Sequence, residues 1–371
     1  MQVIFFGGTG AIGQRAVDEL CKFPEIEQIT VAARKRQKYE RLLARIENGK
    51  KKLKLLEMDL SHEPNLAAVL QGYDLVASAA GPFYKYEYQL AEAAIEAGAH
   101  YVSICDDFDA AEEIFTLDAR AREQGLHVLT GIGWTPGLSN LMARKGAASL
   151  DKVAKINVAW AGSTEDAMGV AVILHVLHIF TNRIPSFQDG SLTMVPAGSG
   201  KEIVSFPEPI GKINVYNVGH PEPVTMRRYF PDVTEITLKG GINEDLFNKL
   251  AIIVGKLGLS QSRAVRNLVA AFFQKTLPLW RKAAGPSADY SGIRVDIKGV
   301  SAGEHRHIAY SAAGPMDVLT GVPMAIAIRE LARDKVQRIG VFAPEAPNAL
   351  DPETFFVELE NRGVAIMREE I

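Results

Sequence analysis

The sequence predicts an α/β fold: a Rossmann-type parallel-sheet domain with an inserted α+β domain built on an antiparallel or mixed sheet. Two observations lead there. Apolar strand-like runs alternate with helical patterns through roughly the first third of the chain, which indicates a parallel sheet covered by helices. From about Lys152 the texture changes to alternating strands joined by Gly-, Pro- and Ser-rich connections, which is typical of an antiparallel sheet.

The first 34 residues follow a strand–turn–helix–strand order that predicts a dinucleotide site. An apolar strand ends at Phe6, and after a glycine turn a helix leads to a second strand at Gln28–Ala33. Gly8, Gly10 and Gly13 fit G-x-G-x-x-G, whose glycines allow a tight turn, close approach of a pyrophosphate and close helix packing. A glycine turn without a ligand is the alternative. The predicted cofactor contacts, at the N-terminus of the helix, are Gly8, Thr9, Gly10, Ala11 and Ile12.

The end of the second strand predicts which cofactor is bound. An NAD site usually has an acidic residue there, about 20 residues beyond the glycines, that binds the ribose 2′-hydroxyl. Here the strand runs into Arg34, Lys35 and Arg36 without an acid. Arg34, with Lys35 beside it, could pair with a 2′-phosphate or lie on the adenine. The pattern favours NADP(H) and leaves NAD(H) possible, although an ordinary solvated basic loop has the same composition.

The ends of the next strands supply further cofactor contacts. Asp59 and Leu60 end the third strand, where an acid often meets the adenine amino group, although Asp59 could equally cap the following helix. Cys105 ends the fifth strand, as a buried small residue or a pocket thiol, and its acidic neighbours would raise its pKa. Small residues after the fourth strand leave room for the nicotinamide side of the cofactor: Ala80, Gly81 and Pro82.

Candidate catalytic and substrate-binding residues follow the same strand ends. Asp106 is the first candidate to bind or deprotonate a substrate ammonium, and its neighbour Asp107 would raise one of the two pKa values. Tyr84 and Lys85 are candidates for a pocket wall, with Lys85 a further catalytic candidate, and Trp134 precedes a Thr-Pro-Gly turn. The alternatives are helix capping for the aspartates and an exposed loop for Tyr84 and Lys85.

The second domain contributes a histidine loop. His220 could move protons near neutral pH, and prolines hold the neighbouring Glu222 in the loop. Arg227 and Arg228 could clamp a carboxylate, although at least one of two adjacent arginines must face solvent. A satisfied loop histidine is the alternative for His220. No metal site is predicted, because His175 and His178 lack partners at ligand spacing.

Composition excludes several classes of protein. The net charge of −3 and the pI of about 6.3 give no indication of nucleic acid or of an anionic membrane as partner. Two cysteines are too few for a disulfide framework and fit a reducing compartment. Because the chain starts directly with a strand and shows no signal peptide, we expect a cytoplasmic protein that acts on a small molecule.

Several motifs resemble the saccharopine dehydrogenase/reductase family, most of all its lysine 6-dehydrogenase-type members. They are the glycine turn, Gly81-Pro82-Phe83, the stretch Glu96-Ala97-Gly98-Ala99-His100-Tyr101-Val102, the turn Thr135-Pro136-Gly137, and C-terminal runs such as Leu319–Ile326 and Gly340–Glu345. The resemblance covers both ends of the chain, roughly half its length. Thr135 is a departure, because saccharopine reductases typically have Asp there, which puts saccharopine itself in doubt as the substrate.

The resemblance implies a fold and an activity. It implies that residues 315–371 complete the NADP-binding domain of residues 1–135, and that 136–314 form a substrate and dimerisation domain of a homodimer. It also implies an NADP(H)-preferring dehydrogenase or reductase, acting on the C–N bond of an amino acid or its imine or semialdehyde partner. A non-catalytic NADP sensor and an enoyl-reductase-type protein are alternatives, because both share the N-terminal motif.

Overall fold

The chain divides into two compact units. The computed structural model describes residues 1–164, 170–258, 263–284 and 288–371. Unit 1 consists of Met1–Leu138 and Asp317–Asp351, and unit 2 of Ser139–Met316 and Pro352–Ile371.

Unit 1 is built on a parallel sheet. Its strands are β1 (Gln2–Phe6), β2 (Gln28–Ala33), β3 (Leu53–Glu57), β4 (Leu75–Ser78), β5 (His100–Ser103), β6 (His127–Leu129) and β15 (Gly340–Phe342). The order is β15-β6-β5-β4-β1-β2-β3, and every pair is parallel. The chain builds outward in one direction from β1 and in the other from β4, so the strand order reverses between these two strands.

Helices cover the sheet of unit 1. They are α1 (Ala11–Lys22), α2 (Arg36–Arg45), α3 (Leu66–Leu70), α4 (Phe83–Glu96), α5 (Phe108–Glu113), α6 (Asp118–Glu123) and α12 (Met316–Ala332), with 3-10 turns at Lys50–Lys52, Leu60–His62 and Ile114–Leu117. Val3, Ile4 and Phe5 in β1 are fully buried in succession, as expected for a strand covered on both faces. The sheet therefore forms the core, and the loops beyond its strands carry the accessible polar groups.

Unit 2 contains a mixed sheet. Its strands are β7 (Lys152–Gly162), β8 (Arg183–Gln188), β9 (Ser191–Pro196), β10 (Glu202–Ser205), β11 (Lys212–Asn217), β12 (Glu235–Ile242), β13 (Ser291–Ser301), β14 (Glu304–Gly314) and β16 (Met367–Glu370). The main path is β10-β11-β12-β7-β13-β14-β16, while β8 pairs with β12 and β9. β12 and β7 are parallel and the other pairs are antiparallel.

The helices of unit 2 are α7 (Leu138–Ala147), α8 (Val170–Ile179), α9 (Glu222–Thr225), α10 (Asp245–Lys256), α11 (Arg263–Ala284) and α13 (Pro352–Glu360). Three of these, α8, α10 and α11, share a small apolar cluster that includes Leu174, Leu177, Val254 and Ala270. No helix in the described ranges is both long and apolar enough to cross a membrane. A cytoplasmic location stays a prediction.

The predicted fold class is confirmed by the two sheets, and the differences lie in the boundaries. The sequence predicts a single helix over Ala110–Gln124, and the structure divides it into α5, a 3-10 turn and α6. The C-terminal strand β16 was not predicted. Because it pairs with β14, residues 352–371 fall in unit 2, whereas the sequence placed them with the first domain. The sequence also predicts an apolar helix over Gly169–Thr181, which corresponds to α8; Gly169 lies outside the described residues.

Candidate functional site

The glycine turn after β1 has a backbone that only glycine accommodates. Gly7 has φ +77°, and a Cβ there would lie 2.3 Å from the carbonyl oxygen of Ala79. A Cβ on Gly13 would lie 2.2 Å from the carbonyl oxygen of Gly7, so Gly13 brings α1 close to the turn, as predicted. The residue with the left-handed conformation is Gly7 rather than Gly8, to which the sequence assigned the tight turn.

The turn lies at the place where the strand order reverses, since Gly7 follows β1 and Ala79 follows β4. Gly10 is the N-cap of α1 and provides no side-chain cap, so no capping side chain occupies the first N–H groups of the helix. Gly10 and Ala11 are exposed, while Thr9 and Ile12 are half-buried. Open α/β sheets bind ligands in this crevice, and the positive end of α1 suits a phosphate.

The ends of β2 and β3 carry opposite charges side by side. Arg34 is exposed directly after β2, and its charge helps to lower the pKa of Asp59 after β3, although hydrogen bonds from Ser61 are the largest cause. Glu57, the last residue of β3, lies 3.7 Å from Arg36. Asp59 caps the 3-10 turn Leu60–His62, not the predicted helix Glu63–Gln71. Arg34 thus occupies the place where an NAD site has its acid.

A buried carboxylate connects the ends of β5 and β6 with α4. The side chain of Glu87 in α4 accepts hydrogen bonds from Tyr101 (2.8 Å), Ser103 (2.5 Å) and Thr130 (2.8 Å). Burial raises the pKa of Glu87 to about 7, against the lowering effect of these three hydroxyls. Sequence reasoning missed this residue. The signal was present, because Glu87 stands on the same face of α4 as the buried residues Phe83, Leu90, Ala91 and Ala94.

The two aspartates after β5 have different environments. Asp107 is buried, and its carboxylate accepts the backbone N–H of Tyr84 at 2.9 Å, so it caps α4 rather than the helix that follows it in sequence. Asp106 is half-buried. Cys105 is fully buried, and burial together with Glu87, Asp107 and Asp106 raises the pKa of its thiol well above the ordinary value, as its acidic neighbours predicted.

The remaining predicted residues of unit 1 differ in accessibility. Lys85 is exposed and its ammonium donates a hydrogen bond to the hydroxyl of Tyr86 at 2.7 Å, so it is engaged at the surface. Trp134 is buried in the turn after β6, while Tyr84 is half-buried at the start of α4. The small residues after β4 are half-buried: Ala80, Gly81 and Pro82. Leu60, which follows Asp59, is half-buried as well.

Unit 2 contains a buried polar cluster around the predicted histidine. The Nδ1 of His220 lies 3.5 Å from Oε2 of Glu222, and both side chains are almost completely buried. Ser139 donates a hydrogen bond to Oε1 of Glu222 at 2.9 Å. The ring of His175 meets the ring of His220 edge-on, with 5.4 Å between the ring centroids. The centroid of the Trp160 ring lies 5.9 Å from that of His220. We name these five side chains the His220 cluster.

Arg227 and Arg228 follow α9 in a 3-10 turn. Arg228 is exposed and Arg227 is half-buried, in agreement with the expectation that at least one of two adjacent arginines faces solvent. Of the two, Arg227 is the better candidate for a substrate carboxylate. Sequence reasoning placed His220 and Glu222 in one loop but missed Ser139 and His175, which are distant in sequence and were assigned to other elements.

A family comparison bears on unit 1. Residues 3–129 match the family model described as the saccharopine dehydrogenase NADP binding domain. The match confirms the resemblance to the saccharopine dehydrogenase family. Together with the glycine turn at the reversal of strand order, it makes unit 1 an oxidoreductase-type domain for a nicotinamide cofactor. The match ends at residue 129, so it extends neither to Trp134 nor to the His220 cluster.

Other comparisons reach further along the chain with less similarity. A Caenorhabditis elegans protein named lipid droplet localized protein is 27% identical over 139 residues, or 36% of this chain, and the match spans only 33% of that protein. Among solved structures, an amine dehydrogenase from Mycobacterium smegmatis has a TM-score of 0.47 at 10% identity, covering 93% of this chain and 95% of that one.

Two further solved structures are similar at the same level. The C. glutamicum DAP dehydrogenase in complex with DAP has a TM-score of 0.46 at 13% identity. An engineered D-amino acid dehydrogenase bound to NADP+ has a TM-score of 0.47 at 14% identity, and each of the two covers 93% of both chains compared. At these identities no functional residue is carried over from them.

Proposed function

We propose that the protein is an NADP(H)-preferring oxidoreductase that acts on a C–N bond of an amino acid or of its imine or semialdehyde partner. The observation that carries the cofactor assignment is the exposed Arg34 at the end of β2, where an NAD site has an acid. The C–N bond is supported by the saccharopine dehydrogenase-like domain of residues 3–129.

The residues of unit 1 are proposed to hold the cofactor by complementary charge and shape. The N–H groups at the start of α1 would bind the pyrophosphate, and Arg34 the 2′-phosphate. Ala80, Gly81 and Pro82, which follow β4, would lie along the nicotinamide side of the cofactor. When bound, NADP(H) accepts or supplies the hydride, and the protein contributes position and proton transfer.

Amine oxidation also requires a group that takes the proton from nitrogen and a cation that binds the substrate carboxylate. We propose Asp106 for binding the substrate ammonium, His220 for proton transfer and Arg227 for the carboxylate. The support for His220 is its burial beside the carboxylate of Glu222, whose Oε2 lies 3.5 Å from Nδ1 of the imidazole. Lys85 is the weakest of the predicted catalytic residues, because its ammonium is hydrogen-bonded to Tyr86 at the surface.

The cofactor assignment is tested by titrating NADP(H) and NAD(H) side by side. Arg34→Ala is expected to weaken NADPH binding by roughly 10- to 100-fold, because a charge-assisted hydrogen bond to a phosphate is lost, and to leave NADH binding almost unchanged. Lys38→Ala, also exposed and basic but located inside α2, is the matched control and should change neither affinity. Equal NADPH affinity in the wild type and Arg34→Ala would refute the assignment.

The reaction class is tested with a panel of amines and amino acids for NADP+ reduction, and of keto acids and aldehydes with ammonia for NADPH oxidation. The proposed enzyme turns over at least one member of this panel. Tight NADPH binding without turnover would instead indicate a sensor, and turnover restricted to activated alkenes would indicate an enoyl reductase.

We also propose that unit 2 forms the homodimer contacts, through the open face of its sheet. Alternate residues of β12 line a groove of about 700 Å³ on this face, among them Glu235, Thr237 and Lys239, whereas Ile236 and Leu238 point the other way and are buried. Asp296 in the groove is bound by Arg294 and His307. Arg294→Glu should shift the mass measured by light scattering from dimer to monomer, and a monomeric wild type would refute the proposal.

A further inference from the structure

The helices α10 and α11 of unit 2 are apolar on two faces. The inner face of α11 packs into the unit, where Ala270 and Leu277 are buried and Val269 and Phe273 pack against the same clusters. This packing accounts for an ordinary amphipathic surface helix. It does not account for the apolar residues on the opposite face.

The outer face of α11 exposes a second apolar stripe. Val265, Leu268, Phe272 and Leu279 are separated by three, four and seven residues, which places them on one side of the helix. Leu268 is 72% exposed, Phe272 56% and Leu279 71%. From α10 and the residue that follows it, Ile253 and Leu257 are exposed as well.

These six side chains belong to two helices that pack, together with α8, on one apolar cluster. They make up six of the thirteen large apolar side chains that are exposed in the described ranges. Single exposed apolar residues are normal on a protein surface, whereas a contiguous group marks a surface that meets another apolar phase.

The same outer faces carry lysines and almost no acid. Lys275 lies within the stripe of α11 and Lys282 continues it, while Lys249 and Lys256 are the exposed cations of α10. Across α10 and α11 the sequence has seven Lys and Arg residues against a single acid, Asp245. The chain as a whole has a net charge of −3, so this basic character is local.

We propose that this face, formed by Ile253, Leu257, Val265, Leu268, Phe272, Leu279 and the four lysines, binds the surface of an anionic phospholipid membrane. We call it the basic apolar face. A helix with apolar side chains and lysines on one exposed face lies in the interfacial plane of a bilayer, with the apolar groups among the acyl chains. The lysine stems run along the apolar surface while their ammonium groups reach the phosphates.

Charge favours a lipid surface over a second copy of the chain. In a twofold contact the face would meet itself, so lysines would lie against lysines with no exposed acid within the stripe of α11 to compensate. Anionic headgroups supply the missing negative charge. Composition does not indicate a membrane, because the net charge is averaged over both units and conceals the basic residues of two helices.

The test is co-sedimentation of the full chain with vesicles. Phosphatidylcholine vesicles with about 30% phosphatidylserine are compared with phosphatidylcholine alone, since a basic helix gains affinity mainly from anionic lipid. We expect partition into the anionic vesicles that falls as NaCl is raised, because the Debye length shortens. Equal partition into both vesicle types, or partition into neither, would overturn the proposal.

Two variants and two matched controls locate the surface. Phe272→Glu removes an inserted side chain and is expected to weaken partition about tenfold or more. Lys275→Glu with Lys282→Glu is expected to weaken it by at least tenfold, since each lysine contributes about fivefold. The controls are Val357→Glu, a similarly exposed apolar residue on α13, and Lys50→Glu with Lys51→Glu, exposed cations of unit 1; both should bind as the wild type does.

A far-UV circular dichroism spectrum and an unfolding midpoint equal to those of the wild type show that each variant has folded. If the variants bind vesicles as tightly as the wild type, the proposal is wrong. It is also wrong if the wild type ignores vesicles and Phe272→Glu converts a dimer to a monomer, because the face would then be a contact between two copies of the chain.

Discussion

Two of the buried carboxylates of this protein, Glu87 in unit 1 and Glu222 in unit 2, are held in different ways. Glu87 accepts three hydrogen bonds from hydroxyls within its own unit. Glu222 has Ser139 on one oxygen and the imidazole of His220 near the other, at 3.5 Å. Nδ1 of His220 is buried and makes no hydrogen bond to any described residue.

The difference separates a structural carboxylate from a candidate for chemistry. Buried polar groups are nearly always hydrogen-bonded, and a well-satisfied group such as Glu87 stabilises the strand ends around it. A buried imidazole with an unused nitrogen beside a carboxylate is the arrangement expected for proton transfer. We therefore expect substitutions at Glu87 to change mainly stability, and substitutions at His220 to change mainly turnover.

The largest expected effect is on turnover at His220. His220→Asn keeps a polar side chain of similar size but cannot carry a proton, so we expect kcat to fall by about 10²- to 10⁴-fold. NADPH affinity and the unfolding midpoint should stay close to the wild type, which isothermal titration and denaturant unfolding measure. If His220→Asn instead lowered the unfolding midpoint as much as substitutions at Glu87 are expected to, His220 would be a structural residue.

Glu87 is expected to make the free energy of unfolding depend on pH. Its pKa is about 7 in the folded protein against 4.5 in the unfolded chain, so the folded state holds the proton more tightly. The stabilisation is complete below pH 4.5 and is lost as the pH rises through 7, and it amounts to about 3 kcal/mol. Glu87→Gln should remove this slope from the free energy of unfolding, measured by urea titration between pH 5 and 8. A variant with the same slope as the wild type would show that another group is responsible.

Gly13→Ala tests whether the glycine turn of unit 1 is needed for NADPH binding as well as for stability. The added Cβ would lie 2.2 Å from the carbonyl oxygen of Gly7, so α1 must move away from the turn. We expect NADPH binding to weaken at least tenfold and the protein to be destabilised by about 1–3 kcal/mol. Gly98→Ala is the control, because a Cβ at Gly98 would meet nothing within 4 Å. Its only expected effect is a loss of stability from placing alanine at a positive φ of 74°, with the cofactor affinity unchanged.

The smallest expected effect belongs to Lys85. Its ammonium is hydrogen-bonded to the hydroxyl of Tyr86 at the surface. Lys85→Met should change kcat by less than about threefold, because exposed interactions of this kind contribute little. Steady-state rates of the variant and the wild type measure it. A loss comparable to that of His220→Asn would restore Lys85 as a catalytic residue.

Local patterns predicted the strand ends and the turn on which the proposed cofactor site is built. The glycine turn, the acid-free end at Arg34 and the small residues after β4 are each readable from a few neighbouring residues, and parallel pairing brings the strand ends to one edge of the sheet. The second strand, Gln28–Ala33, has the predicted bounds.

Features that depend on distant residues were not predicted. Asp107 caps α4 through Tyr84, 23 residues earlier, and Glu87 is satisfied by hydroxyls of strands that follow it in sequence. The His220 cluster joins Ser139 to Glu222 across 83 residues. By contrast, the β8–β9 hairpin had a local signal that was missed, the dipeptide Asp189-Gly190. Both residues have positive φ, as a two-residue hairpin turn requires.

The central claim, hydride transfer at a carbon bound to nitrogen, is tested most directly by isotope transfer. NADPH deuterated at C4 of the nicotinamide is supplied with ammonia and the best carbonyl substrate from the panel, and the amine product is examined by mass spectrometry and NMR. The account predicts one deuterium on the carbon that bears the new amine. Deuterium on a carbon that bears no nitrogen, or NADPH that is bound but never consumed, would contradict it.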